Sequence, residues 1–300
     1  MPIIIVIANE KGGTGKTTTT GNLAAVFASM GKKVLVADND PQGNVTTLLG
    51  VERSDLGEKT LGHAMLDKAQ CDEYILGTNI EGVSLLAGTP ILRRVISEMG
   101  SGHWQDKLLR KPFETKKLDE YDIVLIDTHG SVDCLLKSSL AVSHHYLIPL
   151  FPEPDSARGL FDLIETISDV REASNPRLSL LGILITKYDA NSSTHRDFAE
   201  EIRKVGKKAR VRVFANVIPA SRSVPAASRD QKSLLEFRAN LPISQAYIAL
   251  GGEIAAIIKG KRTGRPAIPD TEILGPELEE MEEIVFKTGE EEAAAAANPV

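Results

Sequence analysis

The stretch Glu10-Lys11-Gly12-Gly13-Thr14-Gly15-Lys16-Thr17-Thr18 stands between an apolar run, Ile3 to Ala8, and a helix-compatible segment from Asn22 to Met30. An apolar run, a glycine-rich turn and a helix start, in that order, describe a site for the phosphates of a nucleotide. Glycine lets the backbone wrap an anion with its N–H groups turned inward, and the helix dipole adds positive potential. Gly12, Gly13, Thr14, Gly15, Lys16, Thr17 and Thr18 are therefore expected to bind nucleotide, with Lys16 reaching the outer phosphates and the Thr17 hydroxyl ligating Mg²⁺. The strict pattern G-x-x-x-x-G-K-[ST] needs a glycine where this chain has Glu10, so the match fails there. What remains, K-G-G-x-G-K-T, puts a second lysine, Lys11, at the head of the loop.

Two further stretches carry carboxylates at strand ends. Lys33-Val34-Leu35-Val36-Ala37-Asp38-Asn39-Asp40-Pro41-Gln42-Gly43-Asn44 is a short apolar strand running into acids and a turn. Ligands of a doubly wound sheet gather beyond the carboxyl ends of its strands, so Asp38 and Asp40 are expected to face the loop's crevice, one of them orienting an attacking water. The competing use of either carboxylate is to cap the helix that follows. Asp122-Ile123-Val124-Leu125-Ile126-Asp127 delivers one acid on a buried strand, which suits Asp127 to the magnesium shell, through water. His129, just beyond, reads as a solvent-exposed loop histidine.

Together these residues resemble the ParA/MinD family of dimerising ATPases with a deviant Walker A loop. The resemblance covers most of Met1 to Ile258 and implies an α/β fold: a doubly wound, mostly parallel twisted β-sheet with helices on both faces. It implies ATP and Mg²⁺ as cofactors and ATP hydrolysis as the activity. The first loop lysine of the family reaches across a dimer to the partner's nucleotide, a role that falls on Lys11 in an ATP-dependent homodimer. The second aspartate of the family's D-x-D-P-Q-G-N segment positions the hydrolytic water, a role that falls on Asp40, while Asp38 joins Thr17 and Asp127 in the expected metal set. The family usually continues its second carboxylate strand as Asp-Thr-Pro-Pro, whereas here Thr128 is followed by His129 and Gly130. Family loops closing over adenine correspond to Thr186, Lys187 and Pro219.

Asn216-Val217-Ile218-Pro219 and Lys232-Ser233-Leu234-Leu235-Glu236-Phe237 resemble the family's carboxy-terminal segment, the side on which relatives contact DNA phosphates without reading base sequence. Arg222, Arg229 and Lys232 are the first candidates here, with Lys204, Lys207 and Lys208 behind them. The implied function is a ParA-like ATPase that dimerises on ATP, binds non-specific double-stranded nucleoid DNA and segregates a plasmid or chromosome with a ParB-like partner. Relatives use the same chemistry to position carboxysomes or chemoreceptor clusters, and cargo stays open at this point. No helix-turn-helix segment precedes the first strand, so operator-specific autorepression is not expected.

Two contrasting classes were weighed on other residues. Iron–sulfur relatives share the loop, and Cys134 lies seven residues after Asp127, but a shared cluster needs two cysteines per subunit and Cys71 lacks matching context. A membrane-bound division-site regulator needs a basic carboxy-terminal helix, whereas Glu277 to Lys287 is acidic and anionic lipid would repel it.

Three hundred residues, 42% hydrophobic and 25% charged, suit one large domain, placed at 1–258, followed by a basic linker and acidic tail at 259–300. Between Asp270 and Val300 ten acids face one base, a net −9, which leaves +3 on residues 1–269. No run of about 18 apolar residues occurs, no leader pattern opens the chain and only Cys71 and Cys134 are present, so a cytoplasmic protein is expected.

Periodicity predicts strands at Val83–Gly88, His145–Leu150 and Leu178–Thr186. It predicts helices at Ile91–Met99, Ser156–Arg171 with Asp155 and Ser156 as caps, Thr194–Val205 and Leu241–Ile258. Residues 50–82 read as irregular, and Gly100 to Thr115, with Trp104, as a solvated helix face.

Overall fold

The computed structural model describes residues 1–100, 105–153, 158–208 and 210–262. Trp104, the caps Asp155 and Ser156, and the expected acidic helix and tail from residue 263 onward lie outside the described residues.

The chain alternates strand and helix: β1 Ile3–Ile7, α1 Lys16–Ser29, β2 Val34–Asn39, α2 Asn44–Leu48, α3 Leu61–Leu66, β3 Ile75–Gly77 and β4 Val83–Leu86. It continues with α4 Ile91–Met99, α5 Arg110–Phe113, β5 Ile123–Thr128, α6 Cys134–Val142, β6 His145–Leu150, α7 Arg158–Ala173 and β7 Ser179–Ile185. The described part closes with α8 Ser193–Lys208, α9 Ser223–Arg229, α10 Leu234–Arg238 and α11 Pro242–Arg262.

The seven strands form one sheet in the order β3-β4-β2-β5-β1-β6-β7. Every pairing is parallel except β3 with β4, an antiparallel edge, so the doubly wound expectation holds. A parallel strand covered on both faces must be apolar along its length, which is why β2 and β5 are buried at every position. One apolar layer packs α3, α4, α6, α7 and α8 against the sheet through residues such as Leu61, Leu92, Leu135, Leu163 and Ile202. The other packs α1, α2, α9, α10 and α11 through Leu23, Val45, Ala227, Leu234 and Leu250.

Three boundaries differ from the sequence reading. The first helix begins at Lys16, inside the loop motif, rather than at Asn22. Gly13 and Gly15, at φ 77° and 89°, complete the turn so early that Lys16 already takes a helical position. Residues 50–82 are not irregular throughout, since they hold α3 and the edge strand β3; a three-residue strand ending in glycine is too short to show alternation. The last helix continues four residues past Ile258, to Arg262.

Candidate functional site

The order of strands reverses at β1, with β5 on one side and β6 on the other, and the loop from Ala8 to Gly15 leaves the sheet at that point. Asn9 pins the start of the loop. Its side-chain amide donates to the Pro149 carbonyl at 2.6 Å and its Oδ1 accepts from the Lys11 N–H at 2.9 Å. The Thr186 hydroxyl donates to the Thr14 carbonyl at 2.7 Å, so Thr186 braces the loop from the end of β7. A Cβ on Gly12 would meet nothing within 4 Å, which leaves an open concave side for an anion. Gly15, the residue before α1, offers no side-chain cap and no acid occupies the first turn, so the first N–H groups of α1 are left for a ligand.

Lys16 is 7% exposed and its ammonium donates to the Lys11 carbonyl at 3.1 Å across the loop. Burial pulls its pKa down, while the nearby charges of Asp127 and Asp40 push it up. Asp38 and Asp127 are Cα partners in the β2–β5 ladder, both fully buried. Burial raises both carboxyls well above the usual range, and for Asp127 the charge of Asp38 adds to it against the Thr17 and Thr20 hydroxyls. Asp127 Oδ1 accepts from Thr20 Oγ1 at 3.0 Å, and its buried Oδ2 has no hydrogen-bond partner among the described residues. An orphaned carboxylate oxygen beside a phosphate loop is the donor a hydrated Mg²⁺ takes.

Asp38, expected in the metal set, is committed otherwise. Its Oδ2 accepts from the Thr46 N–H at 2.9 Å and the Thr46 hydroxyl at 2.6 Å, and its Oδ1 accepts from the Asp40 N–H at 3.3 Å. It ties the first turn of α2 to the sheet, the capping use that competed for it. The Gly88 N–H donates to Thr46 Oγ1 at 2.9 Å, and a Cβ on Gly88 would fall 2.6 Å from the Asp38 carboxyl. Thr46 and Gly88, which the sequence reading passed over, thus shape the segment carrying Asp40. Asp40 itself is 6% exposed, with Oδ1 accepting from the Gln42 N–H at 2.7 Å.

A pH dependence follows from the raised carboxyls. The native state holds a proton that the unfolded state, with carboxyls near pKa 4, releases, so ligand-free stability declines as pH rises from about 4 toward neutrality. Asp127→Asn is expected to flatten that decline and raise the ligand-free melting temperature at pH 7.5, by about 2–4 °C per kcal/mol recovered. Thermal melts from pH 5 to 8 check it, and a variant that melts below the wild type at every pH contradicts the assignment.

Lys11, at the head of the loop, is ion-paired. Its ammonium lies 3.1 Å from Glu153 Oε2, beyond the end of β6, with the two side chains 28% and 46% exposed. His129 departs from its expected exposure. Its side chain is only 16% exposed and Nε2 sits 2.8 Å from Asp133 Oδ2, while Asp133 Oδ1 caps α6 by accepting from Leu135 and Leu136 N–H. A Cβ on the following Gly130 would come 2.8 Å from the Glu10 carbonyl, so glycine alone lets this segment lie against the loop. The His129–Asp133 pair and that close approach restrain the segment in which relatives carry two prolines.

Lys187 is exposed, with φ 50°, and its ammonium lies over the Phe151 ring at 5.5 Å; the next residue, Tyr188, pairs with Pro219. Of the three residues expected at the base, Lys187 and Pro219 are thus brought together beside the loop, whereas Thr186 is buried beneath it. The basic candidates separate into two groups. Arg222, Arg229 and Lys232 are exposed on and beside α9, in the α1 layer, and Lys232 shares a hollow with Thr17 and Thr18. Lys204, Lys207 and Lys208 lie on α8, in the opposite layer, with Lys204 paired to Glu200 at 3.0 Å. They do not form one patch, because consecutive elements are wound onto alternate faces. Cys134 is buried and its thiol is pushed up to about 11, first by burial and then by Asp133, which does not suit a thiolate ligand.

Comparison with known proteins places these elements in context. The family described as "AAA domain" matches residues 3–180. The chain is 33% identical over 253 residues to the chromosome partitioning protein ParA of Caulobacter vibrioides, covering 84% of this chain and 93% of that protein. It is 34% identical over 256 residues to the chromosome-partitioning ATPase Soj of Thermus thermophilus, covering 85% and 96%. Among solved structures, cobyrinic acid a,c-diamide synthase of Mycobacterium smegmatis with bound ADP and magnesium superposes with a TM-score of 0.72 at 28% identity, covering 88% of this chain and 97% of that one. The same architecture thus serves proteins of different names, and activity has to be argued from the site.

Proposed function

Because the chain belongs to the ParA/MinD family of P-loop ATPases, we propose that it hydrolyses ATP at the Lys16–Asp127 crevice and uses the cycle to move DNA. The observation that carries the reading is the convergence on one open loop of buried Lys16, orphaned Asp127 Oδ2 and Asp40 at the adjacent strand end. Gly12 to Thr18 hold the phosphates through backbone N–H groups, and Lys16 offsets charge on the outer ones. Thr17 and Asp127 would hold Mg²⁺, which would supply charge neutralisation on the phosphates. Asp38 enters this account as the tie that holds Asp40 in place rather than as a ligand. Asp40 orients the attacking water. Lys187 and Pro219 flank the base.

Lys11 is offered to a second copy. Its ammonium is held by Glu153 and its side chain is partly exposed, as suits a group serving a partner's nucleotide. Two copies clasping two ATP molecules then form the DNA-binding state, and a ParB-like partner releases it by stimulating hydrolysis. The named relatives support chromosome or plasmid DNA as cargo. No described helix is long and apolar enough to cross a membrane. Localisation on the nucleoid follows from the DNA reading.

The test is DNA binding. Arg222→Ala, Arg229→Ala and Lys232→Ala together, about six cations per dimer, are expected to abolish ATP-dependent binding to random-sequence duplex at physiological salt and, at low salt, to lower the salt slope by about 5. Because α8 faces the other way, Lys204, Lys207 and Lys208 replaced by alanine are expected to change binding less than threefold. Equal binding by the first triple variant and the wild type would remove this surface from the proposal.

A further inference from the structure

A hollow of about 760 Å³ lies on the α3–α4–α5 side, far from the phosphate loop. Its floor is apolar, with Met65 and Leu108 buried and Met99 half-buried. Its rim is mainly basic, with Lys68, Lys107, Arg110 and Lys111 against Glu98 and Glu114. The two carboxylates are already engaged: Glu98 holds Arg94 at 2.6 Å and Glu114 lies 3.6 Å from Lys111. Lys68 and Arg110, both exposed, have no ion pair among the described residues. A floor that removes methyl groups from water, ringed by excess cations, fits a strand of chain that is apolar on one side and acidic on the other.

This chain contains such a segment. Glu277-Leu278-Glu279-Glu280-Met281-Glu282-Glu283-Ile284-Val285-Phe286 holds five glutamates. On a helical period Leu278, Met281 and Val285 share one face and acids occupy the other. We propose that this acidic segment docks in the hollow of its own chain, with Leu278, Met281 and Val285 on the floor and the glutamates against Lys68 and Arg110.

The path is long enough. Tyr247 meets Thr19 near the start of α1 at 3.3 Å, and Gly251 packs on Val26 near its end, so α11 runs alongside α1 toward the edge where the strands begin. Arg262 lies eleven residues farther on. The walls of the hollow reach toward that same edge, because Glu98 and Met99 end α4, which starts beyond the carboxyl end of β4 and runs back, and the segment after α5 leads into the start of β5. Residues 263–276, fourteen in all, span up to about 46 Å when extended, comparable with the diameter of a chain this size.

Cross-linking tests it in the full chain. The native cysteines, Cys71 and Cys134, are both buried, so an added pair is read cleanly. Lys68→Cys with Met281→Cys, treated with a short bismaleimide, is expected to give a monomer-sized intramolecular product at least tenfold faster than the same tail cysteine paired with Ser54→Cys on another surface. Arg110→Glu with Lys111→Glu is expected to remove that advantage, and adding Glu279→Lys with Glu280→Lys to restore it. Retained ATP hydrolysis in each variant verifies folding. Equal rates at the two surfaces, indifference to the charge reversal, or a product of dimer size that disappears on dilution would each overturn the proposal, the last by making a second copy the occupant.

Discussion

Lys11→Ala is expected to bind ATP with little change while losing the ATP-dependent dimer and about 10²- to 10³-fold of partner-stimulated hydrolysis, the cost of removing one charged donor from a developing phosphoryl charge. The reasoning is geometric. Buried Lys16 bonds the Lys11 carbonyl, whereas the partly exposed Lys11 ammonium pairs with Glu153. On the proposed trans role, the ion pair with Glu153 would hold Lys11 in reserve until dimerisation exchanged it for the partner's nucleotide. Because both side chains are partly exposed, that pair is worth at most about 1 kcal/mol. Because each dimer exchanges two such pairs, Glu153→Gln is accordingly expected to strengthen ATP-dependent dimerisation, by no more than about 30-fold. Size-exclusion chromatography with light scattering, with and without ATP, reads both variants. An alanine variant that dimerises and hydrolyses like the wild type would refute the trans role.

Asp40→Ala is expected to separate binding from chemistry. Hydrolysis should fall by about 10²- to 10⁴-fold, the range for loss of a group that handles the proton of an attacking water. The ATP-bound dimer should accumulate, because nothing in the loop has been altered. Asp40 is 6% exposed and fixed by the Gln42 N–H, so its carboxylate is already oriented before any ligand arrives. Asp38→Ala is expected to lower both stability and turnover, since Thr46 would lose the acceptor of two hydrogen bonds and Asp40 would lose its anchor. Single-turnover measurements with preformed dimer separate the two. Hydrolysis by Asp40→Ala within twofold of the wild type would place the water elsewhere.

Much of this was legible along the chain. The apolar runs at β1, β5 and β6 are strands because a parallel sheet covered on both faces demands unbroken hydrophobicity, and that demand is local. The loop is legible for a similar reason: Gly13 and Gly15 adopt φ values that other residues resist, so glycine spacing itself encodes the turn. Less legible was which partner each polar side chain takes up once the loops fold back, even where that partner is near in sequence. Asp38 and Asp127 look equivalent as acids at strand ends, yet Thr46 takes up one and the other keeps an oxygen unpartnered. His129 reads as exposed because its neighbours are polar, and it is enclosed because Gly130 packs against Glu10 and Asp133 folds back onto its ring.

Sequence alone determined the strand–loop–helix that holds phosphate, the two strands that carry acids to its rim, and the second lysine that marks the family, since each is set by residues within about ten positions of one another. The tertiary structure decided which acid keeps an unpartnered oxygen, that Lys16 is buried on the Lys11 carbonyl while Lys11 pairs with Glu153, and that the basic residues of α8 and α9 lie on opposite faces. Those outcomes depend on how the loops fold back and pack, where burial and hydrogen-bond partners, rather than residue type, fix what a side chain can do.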